Sequence, residues 1–255
     1  MFHGSRQASF NKLQDQKSMD STYYIAADEN GFKGDTLDQL LAAGYYRMQH
    51  LMFTCNDTAL GEDGPVIPVF WLRTLVKQCK LQTTANAILK KCAGFSVSFE
   101  QASVTVEIET LYALYKNHVP FSVSSTCADY LHHEFLPQPF DSMMVQVRDH
   151  DMLIATGYFD KGEQSIAGIM NIYHPRYRNY SLGKFLILQK LQYAFSQNKL
   201  FYYTGYISPG STRFDYKTFP DPASVEVLLP DKQQWVPYHL LGKAFLEEYY
   251  LQFLI

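Results

Sequence analysis

The stretch from residue 165 to residue 206 constrains the fold more than any other part of the sequence. Residues 165–173 are apolar enough for a buried strand, residues 181–195 have helical spacing, and residues 200–206 form a second strand. The two strands are expected to lie parallel, because a helical crossover does not fit a hairpin. The start of the helix then lies beside the strand ends, where α/β structures collect anions and ligands.

The helical spacing also predicts which side of this helix packs against the sheet. Apolar residues recur at steps of three and four, which gives the helix one apolar face. We therefore predict that five residues pack on the sheet: Leu182, Phe185, Leu188, Leu191 and Phe195.

Short helices and strands alternate along the rest of the chain. Capping residues and apolar spacing predict helices over residues 35–44, 83–91, 105–118 and 240–253. Segments of β-strand composition are residues 45–54, 66–73, 119–126, 142–147 and 153–159, and residues 149–151 are predicted to join the last two in a hairpin. We expect residues 1–34, which are polar and irregular, to form a loose lead-in.

The composition limits the classes of partner. The chain has 255 residues and is 47% hydrophobic, which is enough for a full core. Its formal net charge is −3, whereas proteins that bind through phosphate contacts are usually basic, so such contacts must come from a local patch. No apolar run approaches the roughly 18 residues that span a bilayer. The first residues lack the apolar core of a signal peptide, so we expect a cytoplasmic protein without a membrane partner.

The cysteines do not have the spacing of a metal site. Cys55, Cys79, Cys92 and Cys127 include no C-x-x-C pair, which argues against zinc or an iron–sulfur cluster. The sequence also lacks a Walker-type loop, a dinucleotide G-x-G-x-x-G and a G-x-S-x-G elbow. We expect reduced, structural thiols and no metal.

An arginine-containing turn precedes the central helix. It contains Arg176, Arg178, Tyr180, Ser181 and Gly183. Free backbone N–H groups and the helix dipole favour an anion there, and the arginines add bidentate charge. Such a turn can hold the pyrophosphate of an acyl-CoA or the backbone phosphates of an RNA end. The alternative is a solvent-exposed basic turn that Ser181 caps.

A polar cluster follows the second strand of the crossover. Tyr206 ends that strand, and Asp215, Tyr216 and Lys217 come soon after it. A carboxylate, a phenol and an ammonium within three residues can orient a substrate amine and relay its proton. The alternative is a structural Asp–Lys pair near the surface, which contributes little to stability.

Three motifs in this half of the chain resemble a known family. Y-S-L-G-K-F-L-I-L-Q at residues 180–189, Y-T-G-Y at residues 203–206 and F-D-Y-K at residues 214–217 are similar to the C-terminal half of the aminoacyl-tRNA–protein transferases. This family contains arginyltransferases and their bacterial leucyl relatives. Residues 37–47 are similar to a motif near the family's N-terminus, so the resemblance covers roughly residues 35–220.

The resemblance implies a fold and a reaction. The fold is α+β, a GNAT-like twisted mixed β-sheet flanked by helices, with a small N-terminal α/β portion. It divides the chain into the lead-in, an N-terminal transferase-like portion over residues 35–130 and a GNAT-like portion over residues 131–255. The reaction moves an amino acid from the 3′ end of an aminoacyl-tRNA to the N-terminal amine of an acceptor protein, usually beside an acidic side chain. An aminoacyl ester is already activated, so the reaction needs no cofactor.

The resemblance also suggests roles for the residues already named. Asp215, or a water held by Asp215 and Tyr206, would accept the proton of the attacking amine, whose ordinary pKa is near 8. Cationic side chains would bind the acidic side chain or RNA phosphates, and these are Lys217, Arg213, Arg176 and Arg178. Further residues would line the site or stack on the terminal bases, namely Gln189, Tyr173, Tyr180 and Tyr203.

The chain also departs from the family pattern. It lacks the N-terminal cysteine pairs of the family, and N-A stands at residues 86–87 where basic residues are usual. Two other functions stay open, a GNAT acyltransferase that uses acyl-CoA and a non-catalytic binder of acidic N-termini. The transferred amino acid and the oligomeric state also stay open. The roles suggested for these residues require the arginine turn and the polar cluster to open into one cavity.

Overall fold

An eight-stranded mixed sheet forms the centre of the molecule. In this computed structural model, residues 22–60, 64–121, 123–132 and 137–252 are described. The strand order is β13-β12-β6-β11-β10-β9-β8-β7. A three-stranded sheet, in the order β1-β3-β2, and a two-stranded sheet, β4-β5, lie in the N-terminal part.

The strands are short at the N-terminus and longer in the central sheet. They are β1 (Tyr23–Ile25), β2 (Tyr46–Met48), β3 (Leu51–Thr54), β4 (Asp57–Ala59), β5 (Val66–Pro68), β6 (Phe70–Leu75), β7 (Ser96–Gln101), β8 (Ser142–Asp149), β9 (Met152–Lys161), β10 (Ser165–Tyr173), β11 (Phe201–Ile207), β12 (Val225–Leu229) and β13 (Gln234–Pro237). The helices are α1 (Gly34–Ala42), α2 (Thr83–Lys91), α3 (Val106–Lys116), α4 (Cys127–Leu131), α5 (Leu182–Ser196) and α6 (Tyr238–Leu251). None of these helices has the length and apolarity to span a bilayer.

The parallel pairing predicted from the crossover is confirmed. Strands β10 and β11 run parallel, and α5 connects them. Each of the other strand pairs of this sheet is antiparallel. The predicted hairpin is also present, because β8 ends at Asp149 and β9 begins at Met152. The expected α+β class, a mixed sheet flanked by helices, is therefore confirmed.

The two parallel strands separate after three paired positions. Ser165, Ile166 and Ala167 pair with β11, and the pairing then stops. Both strands change register at this point, β10 against β9 after Gly168 and β11 against β6 before Gly205. Gly205 has a φ of +99°, in the left-handed region that glycine adopts without strain. Because each strand stays with its outer neighbour, a gap opens between them.

Helix α5 packs against the sheet with four of the five predicted residues. Leu182, Phe185, Leu188 and Leu191 are buried. The prediction for Phe195 is wrong, since this residue lies in the last turn of α5 and is 64% exposed.

Three expectations about the first half of the chain differ from the structure. The described residues of the 119–126 segment form no strand, and turns and bends follow α3 there instead. The predicted strand over residues 45–54 is the hairpin β2–β3. The lead-in contains β1, which pairs with β3, while residues 1–21 lie outside the described part. The boundary at residue 130 stays a prediction, and the central sheet takes β6 and β7 from one side of it and β8–β13 from the other.

Candidate active site

A cavity of about 1040 Å³ lies where β10 and β11 separate. Gly168 and Asn171 of β10 line one side, and Thr204 and Gly205 of β11 line the other. The start of α5, the segment after α3 and strands β2, β3 and β6 contribute further parts of the wall. The separation of the two strands therefore creates the site.

The arginine turn and the polar cluster open into this same cavity. From the turn, Arg178, Ser181 and Gly183 line it. From β10, from β11 and from the segment that follows β11, five further predicted residues line it, namely Tyr173, Tyr206, Arg213, Tyr216 and Lys217. The structure thus brings together eight of the thirteen residues that the sequence singled out.

Two of the other five residues form packing contacts elsewhere. Tyr180 packs its ring on Phe95, at 4.9 Å between ring centroids, beside Lys91. Tyr203 is buried in the core against the ring of Trp235, at 5.7 Å. Their rings cannot stack on a ligand in the cavity without repacking.

The remaining three residues lie outside the cavity wall. Arg176 is exposed in a 3₁₀ turn, and Gln189 is half-buried on α5. Asp215 forms an ion pair with Lys243 of α6, with 2.5 Å between the carboxylate oxygen and Nζ. Because α6 comes from the end of the chain, local spacing gave no signal for this partner.

Lys217 points its ammonium group into an aromatic corner of the cavity. Its Nζ lies 4.3 Å from the ring centroid of Tyr206 and 5.1 Å from that of Phe214. Burial, with a smaller contribution from Arg213, lowers the pKa of Lys217 to about 7. A Cβ at Gly205 would lie 2.7 Å from the Lys217 Nζ, so a larger residue at this position would clash with the ammonium group.

The phenols of the corner keep their protons at neutral pH. Burial raises the pKa of Tyr206, and the ordinary pKa of a tyrosine, about 10, already lies well above neutral pH. Lys217 is therefore the lining group of this corner that can accept a proton near neutral pH.

Cationic side chains surround the cavity although the whole chain is slightly acidic. Six Lys and Arg residues line it, and among the described lining residues there is no Asp or Glu. They are Arg47, Arg178, Lys184, Lys190, Arg213 and Lys217. The local basic patch that a phosphate-binding function requires is therefore present inside the molecule.

The sequence did not identify Arg47 as a site residue, although it lies in a segment similar to the family. Its guanidinium pairs with the buried carboxylate of Asp160, at 2.8 Å, and stacks 4.4 Å over the ring of Phe140. It also donates hydrogen bonds to Ser142 and to the carbonyl of Leu131. This network fixes the β2 side of the cavity.

Aromatic side chains from distant segments form much of the remaining wall. Eight of the 19 tyrosines line the cavity. Tyr46 of β2, Tyr112 of α3 and Tyr130 of α4 were not predicted, because the tertiary fold alone brings these segments together. A count of 19 tyrosines favours a cavity lined by rings with polar tips, but it does not say which of them line it.

The cysteines have the properties of structural residues. Burial raises the pKa of the Cys55 and Cys127 thiols to about 12 and that of Cys92 to about 11. Such thiols are poor nucleophiles at neutral pH. In the described part of the chain, no three His, Cys, Asp or Glu residues cluster as metal ligands.

Comparison with known proteins shows which family this part of the chain resembles. Residues 107–226 match the family model of the arginine-tRNA-protein transferase C-terminus. This match confirms the resemblance seen in the motifs, and it includes most of the residues that line the cavity. Over this segment, which is just under half of the chain, the protein is similar to the arginine-tRNA-protein transferases.

Individual relatives come from both branches of this family. An aspartate/glutamate leucyltransferase of Leptospira interrogans is 24% identical over 154 residues, which are 58% of this chain and 60% of that protein. The arginyl-tRNA–protein transferase 2 of Arabidopsis thaliana is 30% identical over 115 residues, 43% of this chain and 18% of that protein. The chain therefore matches less than two thirds of the length of either relative. A solved GCN5-related N-acetyltransferase from Kribbella flavida is also similar, with a TM-score of 0.35, 15% identity and coverage of 67% of this chain and 54% of that one.

Proposed function

We propose that this protein transfers an amino acid, leucine or arginine, from an aminoacyl-tRNA to the N-terminal amine of an acceptor protein. One observation carries the proposal. The arginine turn and the polar cluster line a single cationic cavity within the segment that matches the transferase family. A tRNA donor would place the reaction in the cytoplasm.

The donor end of tRNA suits the cavity in charge and shape. Arg178 and Lys184 lie beside the start of α5, where backbone N–H groups also favour phosphate oxygens. Tyr173 and Tyr115 lie in the same wall, with their ring centroids 5.3 Å apart, and offer faces on which bases stack.

Proton transfer is assigned to Lys217. The attacking amine must be neutral, and neutral Lys217 accepts its proton because the two groups have similar pKa values. The amine nitrogen then bonds to the ester carbonyl carbon, the bond to the 3′ oxygen of the tRNA breaks, and that oxygen takes up a proton. The sequence-based hypothesis gave this role to Asp215, but its carboxylate pairs with Lys243 outside the cavity wall.

The acceptor side chain is assigned to the cations on the other wall. Arg213 is exposed at the cavity mouth, with its guanidinium 4.2 Å over the ring of Phe121. A guanidinium in this position can bind an acidic side chain beside the N-terminal amine. We therefore expect acceptors with an N-terminal Asp or Glu.

A transfer assay with radiolabelled donors tests the proposal. The protein is incubated with leucyl-tRNA or arginyl-tRNA and with peptides that differ only in an N-terminal Asp, Glu or Ala. We expect label in the Asp and Glu peptides with one of the donors and little label in the Ala peptide. Incorporation only from acetyl-CoA would support an acyl-CoA enzyme instead. Peptide binding without incorporation from any donor would support a non-catalytic binder.

A further inference from the structure

A second buried lysine lines the cavity, and the proposed reaction does not use it. Lys190 of α5 is 1% exposed. Its Nζ donates to the carbonyl oxygens of Tyr158 and Met170, at 2.7 and 3.2 Å, and to Oδ1 of Asn171, at 2.8 Å. Burial lowers the pKa of Lys190 to about 7, but its three oxygen acceptors match the three N–H groups of an ammonium and so favour the protonated form.

These contacts lie where β10 leaves β11. Tyr158 and Met170 face each other across β9 and β10, next to the register shift that follows Gly168. A register shift interrupts the ladder of backbone hydrogen bonds. Lys190 donates to a carbonyl oxygen on each of the two strands here, and so it holds β10 against β9 at the edge of the cavity.

The same lysine determines which way the Asn171 amide points. An ammonium only donates hydrogen bonds, so the side-chain atom of Asn171 that faces it must be the oxygen. Nδ2 then points away from Lys190 and makes no hydrogen bond to any residue that the structure describes. Asn171 is half-buried and lines the cavity, so this amide is an available donor in its wall.

Gly157 leaves space for this pair. It lies directly opposite Asn171 in the β9–β10 register. A Cβ at this position would lie 2.6 Å from the Asn171 Oδ1 and 3.0 Å from the Lys190 Cε. Any larger residue would displace one of the two side chains.

We infer that Asn171 binds a carbonyl oxygen of the donor substrate through its Nδ2 group, and that Lys190 is the positioning residue that aims this amide into the cavity. The inference rests on the proposed transfer reaction. It gives the β10 side of the cavity a neutral donor that complements the cations of the opposite wall.

Asn171→Asp separates the two roles of the residue. The aspartate keeps an oxygen acceptor for Lys190, so the thermal midpoint should stay within about 3 °C of wild type or rise. It offers no N–H to the substrate and places a negative charge beside its oxygen, so kcat/KM should fall at least about 10-fold. Wild-type kcat/KM in this variant would overturn the inference and leave the proposed function intact.

Lys190→Met tests the positioning role, with Gln192→Ala on the exposed side of the same helix as the control. Lys190→Met should lower kcat/KM in the wild-type background. It should cause little further loss in Asn171→Asp, because both changes remove the same hydrogen bond from Asn171 Nδ2 to the substrate. Independent, additive losses would overturn the positioning role. Binding of leucyl- and arginyl-adenosine with an amide in place of the ester, measured by calorimetry, provides a second readout. Wild-type protein that neither transfers nor binds these analogues would overturn the proposed function and this inference together.

Discussion

Lys190 and Lys217, on opposite sides of the cavity, show how different surroundings give the same kind of side chain different roles. Burial lowers the pKa of each to about 7. Lys190 has three oxygen acceptors at Nζ, whereas Lys217 faces the rings of Tyr206 and Phe214. Deprotonation of Lys190 would break a hydrogen bond that holds β10. Deprotonation of Lys217 breaks no such bond, so Lys217 can exchange protons while Lys190 maintains the site.

The largest effect is expected from Lys217→Met. Removal of the proton acceptor should lower kcat by about 100-fold or more at neutral pH, in the range of general acid–base catalysis. Methionine has a similar length and suits the aromatic corner. Single-turnover transfer at saturating donor checks the prediction, and unchanged kcat would remove Lys217 from the mechanism.

The same variant should change how stability depends on pH. The pKa of Lys217 is about 7 in the folded protein and 10.5 ordinarily, so between these values the unfolded chain binds more protons at this residue. This difference makes the free energy of unfolding rise with pH over that window. Lys217→Met should therefore be stabilised relative to wild type most clearly below about pH 7, and the gap should narrow toward pH 10. Urea unfolding at pH 6, 8 and 9.5 measures it, and a constant gap would contradict the pKa assignment.

A smaller effect is expected on the Lys190 side from Gly157→Ala. The added methyl group would contact Asn171 and Lys190 in a central strand, and overpacking of this kind costs about 1–3 kcal/mol. Gly94→Ala is the matched control, because its Cβ would meet nothing within 4 Å, and it should change stability by less than about 0.5 kcal/mol. Equal midpoints of denaturant unfolding for the two variants would show that the added methyl group fits beside Asn171 and Lys190 without overpacking.

Features that depend on one contiguous segment of the chain could be predicted from the sequence. The parallel β10–α5–β11 unit follows from its order and apolar spacing, and the turn and cluster at its ends were found because each lies within a few residues of chain. The hairpin of β8 and β9 was predicted for the same reason.

Features that depend on distant segments could not be predicted in this way. Lys190 lies among apolar residues of α5, and its three acceptors come from β9 and β10. The role of Asn171 depends on where β10 leaves β11, which no local pattern encodes. The predicted strand over residues 119–126 has strand-forming residues, but the described residues of this segment pair with no other strand of the described part of the chain.

The smallest effect is expected from Asp215→Asn. This variant distinguishes the sequence-based hypothesis, in which Asp215 accepts the proton, from the structure, in which Asp215 pairs with Lys243. A proton acceptor at this position would make the variant lose most transfer activity. The structure instead shows a half-exposed carboxylate paired with Lys243, and such surface pairs contribute about 0–1 kcal/mol. We expect a stability change within that range. We also expect a kcat within about 3-fold of wild type, because neither Asp215 nor any residue of α6 lines the cavity. Lys243→Met should give the same small change, because it removes the other half of the same ion pair. A large loss of kcat in Asp215→Asn without a matching loss in Lys243→Met would return the proton-accepting role from Lys217 to Asp215.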